Sequence, residues 1–113
     1  MSLQVEQQEV RAGMARITVS GKMMLGAESE RVQHAVDDLL ARGYRTIVID
    51  LSGLKQIDST GIGRFIASYN NIRTVEGASL RLAGADGAVR SAFRVTKLDT
   101  VFQFYDTIDQ ALT

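Results

Sequence analysis

Residues 57–63 read Ile-Asp-Ser-Thr-Gly-Ile-Gly, and this is the one stretch of the chain that points to a function. Two hydroxyls, Ser59 and Thr60, follow the carboxylate of Asp58 and precede Gly61 and Gly63, with Arg64 close behind. Upstream lies an apolar strand signal, Thr46 to Leu51 (TIVIDL), and a short loop, Ser52 to Gln56. Downstream an amphipathic helix begins. The hydroxyls therefore sit at a helix N-terminus, where backbone N–H groups lack partners and the helix dipole favours negative charge. A serine placed there can accept a phosphoryl group without breaking its own fold. The simpler use of Asp58, Ser59 or Thr60 is helix capping, worth about 1 kcal/mol. The two uses are compatible, and capping alone accounts for only one of these residues.

Other chemistries fit poorly. A serine nucleophile needs a base within hydrogen-bond reach, itself oriented by a third group. The single histidine, His34, belongs to a different helical segment, and no Gly-x-Ser-x-Gly occurs. Asp58-Ser59-Thr60-Gly61 lacks the uninterrupted Asp-Thr/Ser-Gly of an aspartic protease and occurs once. With one histidine and no cysteine, a metal site at His34 is not expected. Glu28, Glu30, Asp37 and Asp38 read as the solvated face of a helix. Gly84-Ala85-Asp86-Gly87 reads as a turn with a helix cap, too short to be a phosphate loop. Gly61 and Gly63 lack the third glycine of a dinucleotide fingerprint. Their expected role is close backbone approach, to a neighbouring strand or to a partner surface. The chain is expected not to be an enzyme, with no cofactor and no metal.

The elements that must position the hydroxyls follow from periodicity. The chain has 113 residues, 45% of them hydrophobic, which suits one domain with one core. Formal net charge is zero, so no basic footprint for nucleic acid or an anionic membrane is present. No apolar run is long enough to span a bilayer, and the first six residues are too polar for a secretory signal. A cytoplasmic protein is expected. Leu3, Val5 and Gln7 alternate as a first strand, Arg11 to Gly13 form a turn, and Ala15, Ile17 and Val19 form a second strand ending at Gly21. Met23 to Gly26 is either loop or short strand. A helix runs over about 27–42, with Gly43 as its stop. After the 46–51 strand, a helix over about 60–76 places Ile62, Phe65, Ile66, Tyr69 and Ile72 toward a sheet. Ser79 to Ala83 is a strand, Asp86 caps a short helix, Val101 to Phe104 hold a last strand, and a helical turn closes the chain over 107–112. The order ββαβαβαβα predicts a mixed α/β sheet of four to five strands with about four helices: an opening antiparallel hairpin, then parallel strands.

Taken in order, these segments resemble the STAS domain, as found in bacterial anti-sigma factor antagonists. The likeness rests on Val19-Ser20-Gly21, on Ile47 to Leu51, on Ile57 to Gly63, on Leu80 to Gly84 and on the closing Ala111-Leu112. It runs over nearly the whole chain, so residues 1–113 are expected to be one STAS domain. The resemblance implies a partner switch that regulates transcription. The unphosphorylated antagonist binds an anti-sigma factor that is also a serine kinase. Phosphorylation of the serine after the aspartate, Ser59 here, releases it, and a serine phosphatase resets it. Thr60 is a possible second site. The implied partner surface comprises Met23, Met24, Leu25, Asp58, Ser59, Thr60, Gly61, Gly63 and Arg64. The chain departs from the family at Gly21-Lys22-Met23-Met24, where Met24 takes the place of an aspartate. Met23, Met24 and Leu25 are thus either core packing or an exposed apolar contact patch. The alternative function is a STAS scaffold or accessory subunit of a stress-sensing or lipid-transport complex, without phosphorylation.

Overall fold

The computed structural model describes residues 3–113; residues 1 and 2, part of the polar N-terminal segment read above, lie outside the described residues. The strands are β1 (Leu3–Arg11), β2 (Met14–Met23), β3 (Thr46–Ile57), β4 (Ser79–Ala83) and β5 (Gln103–Tyr105). The helices are α1 (Glu30–Ala41), α2 (Ser59–Ile72), α3 (Gly87–Val95) and α4 (Ile108–Ala111), with 3-10 turns at Ala27–Ser29 and Leu98–Thr100. The strands form one sheet in the order β1-β2-β3-β4-β5. β1 and β2 are antiparallel, and every later pair is parallel. The hairpin turns at Gly13, whose φ of 81° suits a residue without a side chain.

Each strand from β2 onward is added beside the last, always in the same direction across the sheet. Right-handed crossovers then put every connecting helix on one face. The core agrees: Val32, Val36 and Leu39 of α1, Phe65 and Ile72 of α2, and Val89 and Phe93 of α3 pack in one cluster with Ile17, Ile49 and Leu82 of the sheet. α4 follows the last strand and covers the other face, where Ala111 meets Val48 and Ala83. Phe93 stands edge-on to Phe65 at 5.5 Å, to Phe102 at 5.7 Å and to Phe104 at 5.1 Å between ring centres, which fastens α3 against α2.

Several boundaries differ from the sequence reading. β3 does not end at Leu51. Residues 52–56, expected as a loop, continue the strand, because β2 runs on past Gly21 and pairs Ser20 with Gly53, Gly21 with Leu54 and Met23 with Ile57. Opposite Thr18–Ser20 and again opposite Gly21–Lys22, β3 carries one extra residue, and these bulges break the apolar alternation of Ile47, Ile49 and Leu51 that would have revealed the extension. α1 starts at Glu30, after a 3-10 turn, and α2 ends at Ile72. The last strand is Gln103–Tyr105, with Val101 exposed before it. Asp86 takes the N-cap position of α3 but makes no side-chain cap bond.

The α2 stripe needs one correction. Ile62, Phe65 and Ile72 are buried and Tyr69 half-buried, but Ile66 is exposed. The buried face is Gly61, Ile62, Phe65, Ser68 and Ile72, so the helix is rotated toward a glycine and a serine. At about 100° per residue, Ile66 then falls off that face. Ser68 is buried at no polar cost because its hydroxyl donates to the Arg64 carbonyl at 2.9 Å.

Candidate functional site

α2 starts at Ser59 because Asp58 supplies its cap. The Asp58 backbone is extended, its carbonyl accepts from Ile62 N at 2.9 Å, and its Oδ1 accepts from Gly61 N at 3.0 Å. Ser59 is therefore the first helical residue and not the cap. Its side chain is exposed, and among the described residues its hydroxyl makes no hydrogen bond. Thr60 beside it is half-buried. The Gly61 N–H foremost holds the Asp58 carboxyl below the usual carboxylate range, against the opposing pull of burial, with the Leu25 and Thr60 N–H groups adding to the lowering. Asp58 thus keeps its charge into acid, one residue from the Ser59 hydroxyl.

The end of β2 is knit to this terminus. Asp58 N donates to Met23 O at 3.3 Å, and Leu25 N donates to Asp58 Oδ2 at 2.8 Å. Gly61 lies directly against the strand: a Cβ there would stand 2.4 Å from Met23 O and 2.6 Å from Ile57 Cγ1. Of the two roles open to the glycines, Gly61 has the internal one. Gly63 is exposed, with nothing within 4 Å of a Cβ placed on it. The three apolar residues divide as well. Met23 is fully buried, which corrects any expectation of it as an exposed contact, because alternation along β2 turns it into the core. Met24 is 39% exposed and Leu25 83%.

Arg64 is turned away from Ser59. Its Nε donates to Ser29 Oγ at 3.1 Å, and its Nη2 lies 3.4 Å from Glu30 Oε1. Ser29, buried, donates in turn to Gly26 O at 3.0 Å. Ser29 escaped the sequence reading, since a lone serine before a helix signals only a cap. On its other flank Ser59 borders a cleft of about 340 Å³ between α2 and α3, walled by Ile57, Ile62, Ala92 and Val95. Val95, 80% exposed, stands off the buried Val89–Phe93 face of α3, and that spacing was the available signal for it. His34 is exposed on α1 beside Val5, Gln7, Arg31 and Asp38. Among the described residues no three metal-ligating side chains are grouped, and no helix is long and apolar enough to cross a membrane. What this geometry offers is an exposed, unengaged hydroxyl on an anion-tolerant helix end, flanked by apolar surface.

The sequence profile of the STAS domain matches residues 7–111. A Thermotoga neapolitana protein provisionally named an anti-sigma factor antagonist is 32% identical over 76 residues, covering 67% of this chain and 66% of the relative, just under two thirds of its length. Among solved structures, this chain is similar to an anti-sigma factor antagonist from Mycobacterium paratuberculosis, with a TM-score of 0.83, 24% identity, and coverage of 98% and 92% of the two chains. It is also similar to the Bacillus cell fate determinant SpoIIAA in its phosphorylated form, with a TM-score of 0.73, 18% identity, and coverage of 96% of each chain. At such identities the structural likeness speaks for the fold, while the profile runs from within β1 to the end of the terminal helix: the chain belongs to the STAS domain family.

Proposed function

We propose that this chain is an anti-sigma factor antagonist that works as a phosphorylation-controlled partner switch, with residues 1–113 forming one STAS domain. The observation that carries the reading is the division of labour at the start of α2. Asp58 caps the helix, so the exposed Ser59 hydroxyl is free of any structural duty. The name of the Thermotoga relative and the phosphorylated state of a structural neighbour support the same reading.

In the unphosphorylated state the exposed Met24, Leu25, Ser59 and Gly63, with the half-buried Thr60, pack on an anti-sigma factor with serine-kinase activity. Met23, Asp58, Gly61 and Arg64 support that surface from beneath. The partner supplies the catalytic base and the nucleotide; this chain is its substrate and binding module. A phosphoryl group on Ser59 adds a charge of about −1.5 to −2. The helix end accepts it, since anions at the first turn are favourable by about 0.3–1 kcal/mol. A close-packed partner surface does not, because like charge and desolvation at an interface cost several kcal/mol. A serine phosphatase resets the cycle, in the cytoplasm and without nucleic acid or membrane. Thr60, half-buried, is the lesser acceptor.

Calorimetry against the cognate anti-sigma factor tests this with four proteins: wild type, Ser59→Ala, Ser59→Asp and phosphorylated wild type. Wild type and Ser59→Ala should bind alike, Ser59→Asp more weakly, and the phosphoprotein weakest. Equal affinities across all four would refute the switch and leave a phosphorylation-independent STAS scaffold as the reading.

A further inference from the structure

We infer that Asp58 has a second task, separate from capping α2: it holds the Met24–Leu25 turn in the pose that the anti-sigma factor reads. The inference rests on the partner-switch reading above and adds a positioning residue to it. A helix cap needs one acceptor oxygen, and Ser, Thr or Asn supplies it as well as Asp. In this chain Oδ1 serves that purpose by accepting from Gly61 N, and Oδ2 is left over. It accepts from Leu25 N at 2.8 Å, across a sequence gap of 33 residues.

The turn depends on that bond. Upstream it is anchored where Met23 O accepts from Asp58 N and lies against Gly61. Downstream it is anchored at buried Ser29, held by Gly26 O and by Arg64. Between these anchors, among the described residues, the Leu25 N–Asp58 Oδ2 bond is the one hydrogen bond tying residues 24–25 to the rest of the fold. Packing does not replace it, since Leu25 is 83% exposed and Met24 39%. Gly26, at a φ of 134°, gives the chain a conformation that other residues rarely take, so the turn has a shape but little else to keep it in place. The partner suited to this knob presents an apolar pocket. The group that aims the knob sits next to the phosphoryl acceptor, so recognition and modification share one post.

The test uses the whole chain and the cognate anti-sigma factor without nucleotide. Asp58→Ser keeps a cap oxygen and removes the one facing Leu25. The Gly61 amide should stay protected from hydrogen exchange, and the Leu25 amide should lose protection at least about tenfold. Affinity falls by the fraction of molecules still in the binding pose, so a turn ordered a tenth of the time binds about tenfold more weakly. Leu25→Ala alone should also weaken binding, and adding Asp58→Ser to it should cost less than Asp58→Ser costs in wild type, because Asp58 acts through the Met24–Leu25 turn. Additive losses would place Asp58 against the partner directly and overturn the inference. A Leu25 amide that exchanges freely in wild type overturns it too, whatever the variants do. The two readings fail separately. Unchanged affinity on phosphorylation refutes the switch, whereas unchanged affinity for Asp58→Ser, with the switch intact, refutes only the role assigned to Asp58.

Discussion

Two glycines two residues apart in α2 should respond oppositely to the same substitution. A methyl group at position 61 would lie 2.4 Å from Met23 O, 2.6 Å from Ile57 Cγ1 and 3.2 Å from Met23 Cγ. Comfortable carbon contacts begin at about 3.5 Å, so roughly 1 Å of movement is required. The nearest obstacle is a backbone carbonyl already engaged by Asp58 N, which cannot swing aside as a side chain would. Overpacking of this kind costs about 1–3 kcal/mol, and a fixed obstacle argues for the upper end. The better helix propensity of alanine returns about 1 kcal/mol. Gly61→Ala should therefore destabilise by about 1–2 kcal/mol. At position 63 nothing lies within 4 Å, so Gly63→Ala should gain about 0.5–1 kcal/mol from propensity alone. The gap between two chemically identical changes is then about 1.5–3 kcal/mol, large in any urea titration. Equal stabilities, or a Gly63→Ala protein less stable than wild type, would show that the packing of α2 on the end of β2 is misread. If Gly63→Ala is more stable yet binds the proposed anti-sigma factor partner less well, its bare surface serves a close partner contact.

Other expectations follow from the same geometry. Because Asp58 and not Ser59 is the cap, Ser59→Ala should unfold within about 0.5 kcal/mol of wild type, and a larger loss in chemical denaturation would make Ser59 structural. Met24→Asp should leave the unfolding midpoint unchanged and weaken partner binding by about tenfold; loss of stability with unchanged binding would mark Met24 as packing only. Phe93→Ala, which removes the ring shared by Phe65, Phe102 and Phe104, should cost about 3–5 kcal/mol in the same titration, and a smaller effect would mean that the core can close over the hole. The depressed Asp58 carboxyl contributes stability above the unfolded aspartate pKa of about 3.9, and this is lost as pH falls through the lower folded value. Wild type should therefore exceed Asp58→Ser in stability at neutral pH, and the gap should close in acid; a pH-independent gap would rule out the carboxylate.

The fold was legible where periodicity and punctuation agreed. Ile47, Ile49 and Leu51 announce a buried strand, and Val32, Val36 and Leu39 a helix face, and both stand where expected. The legible signal failed where geometry departs from apolar alternation. The bulges within β3 concealed that residues 52–56 extend it. Gly61 and Ser68 face the core of α2, and neither registers in a hydrophobic pattern, so Ile66 was misplaced. At the site, residue types and spacing were enough to find an exposed serine at a helix start. They could not say which residue caps it, because Asp, Ser and Thr in a row are all competent. Nor could they reveal the bond from Leu25 to Asp58, which depends on how β2 and β3 end side by side.

That side-by-side ending also bears on why the proposed charge switch fits this place in the fold. A modification site must change an interface strongly and its own domain little. Ser59 stands at the first turn of a helix whose cap is already supplied, so added negative charge meets a favourable dipole and displaces no structural bond. The paired ends of β2 and β3 bring a second stretch of chain, Met24–Leu25, to the same terminus, and its apolar side chains face outward. A partner that covers this knob must bring the Ser59 hydroxyl and the Asp58 carboxylate into, or next to, a surface from which water is excluded. A phosphoryl charge is inexpensive there in the free protein, where water solvates it, and expensive in the complex, where that hydration is lost, whereas the Asp58 carboxylate keeps its bonds from Gly61 N and Leu25 N. On the proposed reading the asymmetry needs no conformational change. It needs an acceptor on a tolerant helix end and an apolar contact beside it, and the chain brings both together through one carboxylate.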